Sequence, residues 1–138
     1  MTFDTRERDR LGQLADILIP AAAHGALSAS AAEVSGRWLD QVLIARPDLA
    51  SGLKTLLQQA ENHPPEDFVE KMRTADPSAF GILTEVVTGA YFMNPDVQKS
   101  IGYADQTQHP IGPTPDYLEN GLLDSVIHRG PIYRPTPS

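Results

Sequence analysis

The sequence predicts an all-α fold: an irregular bundle of about five or six helices, with a long proline-rich C-terminal loop and an extended tail. Three observations carry this expectation. Apolar residues recur at helical spacing from Leu11 to Tyr91, no strong period-two strand pattern occurs, and prolines divide the chain at helix-length intervals.

The first helix rests on Leu11, Leu14, Ala15 and Leu18, an i, i+3, i+4, i+7 stripe. Pro20 ends it at about Ile19, because a residue before proline is pushed out of the α region. A loop follows, and a second helix is expected from about Ser30 to Ala45 on Val34, Trp38 and Val42, widened by Leu39 and Leu43. The third, from about Asp48 to Glu61, has the cleanest period: Leu49, Leu53, Leu56, Leu57 and Ala60. After His63-Pro64-Pro65, Pro65 suits a first helical position and Glu66 and Asp67 suit the positive end of the helix dipole. Phe68, Val69 and Met72 then give a short fourth helix. Asp76 is the expected N-cap of a fifth, with Pro77 first inside it and Phe80, Leu83, Val87 and Tyr91 on its buried face. Val86-Val87-Thr88 is β-branched, but the start signal and the period favour helix.

Beyond Phe92 the character changes. Asn94-Pro95-Asp96 opens one more turn, and residues 102–115 are rich in Gly, Pro, Gln and Thr without a period. Residues 116–128 carry enough apolar side chains for a short helix or an extended piece, and residues 129–138 read as a polyproline-like tail. The expected organisation is therefore one helical domain over 1–128 and a tail over 129–138.

Composition narrows the functions. The chain is 41% hydrophobic and 21% charged, ordinary for a globular protein. Its 18 acidic and 11 basic residues give a formal charge of −7, and the Lys and Arg are scattered, which argues against nucleic acid and against an anionic membrane surface. No window approaches the ~20 apolar residues of a membrane span. The N-terminal residues lack the basic-then-apolar pattern of a secretory signal, so a cytoplasmic location is expected. The absence of cysteine excludes disulfides, thiolate metal sites, covalent haem attachment and cysteine nucleophiles.

The search for chemistry returns no catalytic, cofactor-binding or metal-ligating residues. None of His24, His63, His109 and His128 stands in a His-Glu-x-x-His frame, and His24, His63 and His109, in expected loops, read as solvated histidines. No Gly-x-Ser-x-Gly, Gly-x-Gly-x-x-Gly or Gly-Lys-Ser/Thr frame occurs. Glu66, Asp67 and Glu70 read as the acidic start of a helix, and Trp38 as core. What stands out is a concentration of aromatic, Met and Pro residues late in the chain. Such residues are enriched at the buried centres of interfaces, and irregular loops beyond ~12–15 residues are commonly functional or disordered. The candidate partner interface is Tyr91, Phe92, Met93, Pro95, Tyr103, His109, Pro113, Tyr117, Ile132 and Tyr133.

An ordered set of motifs spanning about residues 8–117 resembles the gluconate 2-dehydrogenase subunit 3 family. It comprises Leu14-Ala15-Asp16-Ile17-Leu18-Ile19-Pro20, then Phe80-x-x-Leu83-x-Glu85-x-Val87-x-Gly89-x-Tyr91-Phe92 with Pro95, then Ile101-Gly102-Tyr103 and a Gly/Pro-rich run. The resemblance implies a non-catalytic small subunit that binds and stabilises a larger oxidoreductase of the glucose–methanol–choline type. That large subunit would carry FAD and oxidise a sugar, sugar acid or alcohol, and a cytochrome subunit can complete the complex. The family often carries a twin-arginine export signal, and Arg6-Glu7-Arg8 is not one. Two other classes stand beside this expectation. One is a free-standing helical enzyme or small-ligand protein using the 102–116 loop, with Tyr103, Asp105 or His109. The other is a homo-oligomeric scaffold in which the aromatic patch pairs with itself.

Overall fold

In the computed structural model, which describes residues 2–22, 25–103 and 121–132, helix is the only regular secondary structure among the described residues. The all-α expectation therefore holds. Contacts group the chain into two units, residues 1–104 and 105–138.

The first unit begins with α1 (Thr5–Leu18), whose start is fixed by a capping box. The Asp4 carboxylate accepts from the Glu7 amide at 2.8 Å, and the Glu7 carboxylate accepts from the Asp4 amide at 2.9 Å. Two amide donors that a helix start leaves orphaned are thus satisfied. Leu11, Leu14 and Ala15 are fully buried, and Leu18 is half-buried against the core.

The next helix, α2 (Arg37–Ala45), is shorter than its apolar pattern suggested. Residues 30–36 form successive turns, with Glu33 in the left-handed region at φ 55°. A non-glycine residue held there interrupts a right-handed helix. Ala29, Ala32 and Val34 are nevertheless completely buried, so the apolar spacing reported burial rather than helix. Arg8 of α1 secures these turns by donating to the Ser35 and Gly36 carbonyls at 2.9 and 3.1 Å, while pairing with Asp40 at 2.6 Å. Trp38 is half-buried against the core, with the Arg37 guanidinium 4.3 Å from its ring centre.

The following three helices match the sequence reading closely. α3 (Leu49–Ala60) buries all five residues of its stripe, and α4 (Pro65–Ala75) buries Phe68, Val69 and Met72. α5 (Pro77–Met93) starts where Asp76 accepts from the Ala79 amide at 3.0 Å. It is the central helix, packing on α2, α3, α4 and the short α6 (Pro95–Ser100) through Leu83, Val86, Val87, Ala90 and Tyr91.

The surface of this unit carries ion pairs. Arg46 bridges Asp48 at 2.7 Å and also reaches Glu85, and Arg73 pairs with Glu70 at 2.7 Å. Hydrogen bonds from these guanidinium groups hold the Asp48 and Glu70 carboxyls below their usual range. All four side chains of the Asp48 and Glu70 pairs are about half-exposed or more, so the pairs contribute little to stability.

In the second unit the described residues, 121–132, form α7 (Asp124–Arg129) and its flanks. Of the two alternatives open for residues 116–128, helix is the outcome over 124–128 and runs on to Arg129, the first residue of the expected tail, while residues 116–120 lie outside the described residues. None of the α7 side chains is buried.

Candidate functional site

The candidate interface residues separate into three groups in the structure. Tyr91 lies in the core, only 7% exposed, and its hydroxyl donates to the Leu27 carbonyl at 2.7 Å. That bond ties α5 to the loop after α1, which gives the side chain a structural task. Phe92, Met93, Pro95 and Tyr103 are exposed at the end of α5 and around α6. Ile132 is exposed in the second unit, and His109, Pro113, Tyr117 and Tyr133 lie outside the described residues.

The corner at α6 is rigidly built. Asn94, 7% exposed, caps α6 by accepting from the Asp96 amide at 2.8 Å, while its amide nitrogen donates to the Ala32 carbonyl at 2.9 Å. Both functions of the side-chain amide are used, which locks the α5–α6 junction onto the turns before α2. At the other end, Gly102 sits at φ 73°, donating to the Lys99 carbonyl at 3.1 Å, and the Tyr103 amide donates to the Gln98 carbonyl at 2.9 Å. This pair of bonds around a left-handed glycine is the Schellman ending of a helix. Gln98 also donates from its side chain to the Phe92 carbonyl at 2.8 Å, so one residue anchors the backbone of both aromatics.

On this fixed frame the apolar side chains face water. Phe92 is 46% exposed, Met93 38%, Ile101 58% and Tyr103 53%. Phe92 packs edge-on against Tyr91 with ring centres 5.4 Å apart, so its base is held and its outer face is free. Ile101 was not among the sequence candidates. Its position at the C-cap of α6, between Val97 in the core and Gly102, was the available signal.

Two hollows in the first unit bear on the ligand-binding alternative. One, about 540 Å³, lies between α1 and α3 and is rimmed by Asp4, Glu7, Asp9, Arg10 and Glu61. Asp4 and Glu7 are committed to each other there, and Arg10 to the Ala60 and His63 carbonyls. The other, about 260 Å³, has a Phe68 and Met72 floor with His63, Lys71 and Asp76 at its edge. Asp76 is occupied in capping α5, and His63 Nδ1 lies 3.1 Å from the Gln59 carbonyl. Asp4, Glu7 and Arg10 at the first hollow and Asp76 at the second are thus engaged in holding the fold. Among the described residues no three His, Asp or Glu side chains are grouped to hold a metal ion. No described helix is long and apolar enough to cross a membrane.

The second unit presents an apolar group of which only Ile132 was among the sequence candidates for the interface. Leu122, Val126, Ile127 and Ile132 are all strongly exposed. Their signal was the i, i+1, i+4, i+5 spacing of Leu122, Leu123, Val126 and Ile127, which marks one side of a helix. In comparisons with family models, curated proteins and solved structures, the chain matches none.

Proposed function

We propose that this chain is a non-catalytic small subunit that binds and stabilises an FAD-dependent oxidoreductase of the glucose–methanol–choline type, acting on a sugar, sugar acid or alcohol. The observation that carries the proposal is the α6 corner, where Phe92, Met93, Ile101 and Tyr103 are held out to solvent by a frame with little freedom left. A soluble domain with a well-filled core gains nothing from ordered aromatics in water, whereas a docking surface does. Rigid anchors reach a partner with much of their ordering entropy already lost, and aromatic anchors dominate interface energies. The family resemblance supplies the kind of partner, and the absence of a catalytic frame from the sequence agrees with a supporting role. FAD belongs to the large subunit in this reading, a cytochrome subunit can complete the assembly, and location follows that of the complex.

The test is co-expression with a glucose–methanol–choline type oxidoreductase chain from the same genome, followed by size-exclusion chromatography read at the flavin band. The chain is expected to co-elute with the yellow partner, and the Phe92→Ala/Tyr103→Ala double variant to weaken association at least tenfold. Elution of a folded, colourless chain on its own would reject the proposal.

A further inference from the structure

We infer that residues 122–132 form a second docking element, a short amphipathic helix that completes its folding in an apolar groove of the partner protein. The inference rests on the small-subunit reading, and it names a contact that lies outside the α6 corner.

The helical part of the segment is bounded by two glycines in the left-handed region, Gly121 at φ 64° and Gly130 at φ 67°. Between them Leu122, Leu123, Val126 and Ile127 fall at i, i+1, i+4 and i+5, and Asp124, Ser125, His128 and Arg129 fill the other side. The pattern is a clean apolar stripe, yet α7 buries no residue. A helix of six residues is far too short to be stable on propensity alone, since isolated helices below ~12–15 residues are marginal in water. A sequence patterned this way acquires its stability from whatever covers the stripe.

Three occupants compete, and the observations favour one. A lipid surface would be matched by clustered Lys and Arg, but Arg129 is the only Lys or Arg between Gly121 and Ile132, in a chain of formal charge −7. A second copy pairing through this segment alone would bury too little. Leu122, Val126, Ile127 and Ile132 are 56–74% exposed. Together they offer on the order of 400 Å², against roughly 800 Å² per side for a stable specific interface. A groove on a larger protein encloses such a helix on more than one side, and it reads i, i+4 anchors of this kind. That contact also adds to the area which the α6 corner supplies, as two weak contacts on one chain do.

The experiment uses the full chain, a Val126→Asp/Ile127→Asp variant, and the co-expressed flavin-carrying oxidoreductase chain. Three results are expected together. The wild-type chain carries the flavin partner through size exclusion. The variant keeps its circular dichroism and melting temperature but loses at least tenfold in association. Amide hydrogens of residues 126–130 exchange at least tenfold more slowly in the complex than in the free chain. Equal association of wild type and variant, or unchanged exchange at those amides, would overturn the inference while leaving the small-subunit reading in place. If the wild type captures no flavin partner, that reading fails first, and sedimentation of the two free chains assigns the segment. Self-association lost in the variant would make a second copy the occupant, and no difference would make the stripe idle; either overturns the inference.

Discussion

Residues 2–103 and residues 121–132 draw on the same amino-acid types, Leu, Ile and Val at helical spacing, and put them to opposite use. In the first stretch Leu83, Val86 and Val87 of α5 and Leu53, Leu56 and Leu57 of α3 are withdrawn from water almost completely. In the second, Val126 and Ile127 stay more than half exposed. Helical periodicity therefore says which side of a helix is apolar, without saying whether this chain or another covers it. The contrast gives the two stretches different thermodynamic weight, and mutation separates them.

The largest effect is expected at Leu83, completely buried at the centre of the helix that contacts four others. Leu83→Ala removes three heavy atoms and leaves a cavity that the surrounding helices fill only in part. The loss is about 3 kcal/mol, within the ~2–5 kcal/mol seen for buried Leu→Ala changes. Urea denaturation followed by circular dichroism would show it as a lower midpoint at unchanged slope. A shift below about 1 kcal/mol would mean that α5 is not the centre of the core, and the contrast between the two stretches would lose its basis.

A smaller effect, about 2 kcal/mol, is expected for Asn94→Ala. The change orphans the Ala32 carbonyl in a buried place and removes the N-cap of α6. It also separates stability from docking in a way that Leu83 does not. Amides at the start of α6 should exchange faster than those in the middle of α5, because the frame loosens before the core does. Uniform acceleration across residues 77–100 would show that the corner is part of the core's cooperative unit rather than a platform built upon it.

How much of this was legible in the sequence depended on whether the cause was local. The stripe of α3, the proline stops and the Asp76-Pro77 start are encoded within a few residues, and each appears where the residues placed it. Residues 30–36 were misread as helix because Val34 continues the four-residue spacing of Trp38 and Val42, while the break depends on Glu33 adopting a left-handed conformation that no local rule assigns to it. The site followed the same division. Phe92, Met93 and Tyr103 were recognisable by residue type, but Tyr91 was not separable from them, since its hydroxyl bond runs to Leu27, 64 residues away. The frame that fixes the corner has the same non-local character, because the partner of Asn94 is 62 residues distant. Val126 and Ile127 were readable as a possible helix, yet their exposure, 56% and 63%, does not follow from their spacing.

The smallest effect is the most informative about the comparison. Ile127→Ala deletes as many heavy atoms as Leu83→Ala, from a side chain of the same apolar class, but Ile127 is 63% exposed. Little transfer free energy is lost and no enclosed cavity opens, so the stability of the free chain should change by less than about 0.5 kcal/mol, as for surface substitutions generally. Alanine also has the higher helix propensity, which offsets part of even that small loss. Side-by-side urea curves of the two variants test the point directly: a core contribution from Ile127 would bring its curve toward that of Leu83→Ala. If the two curves stay apart in the free chain, the denaturation midpoint of the partner complex then measures what the exposed stripe is for. There Ile127→Ala should lower the midpoint, since the side chain would have acquired the enclosure that Leu83 has from the start.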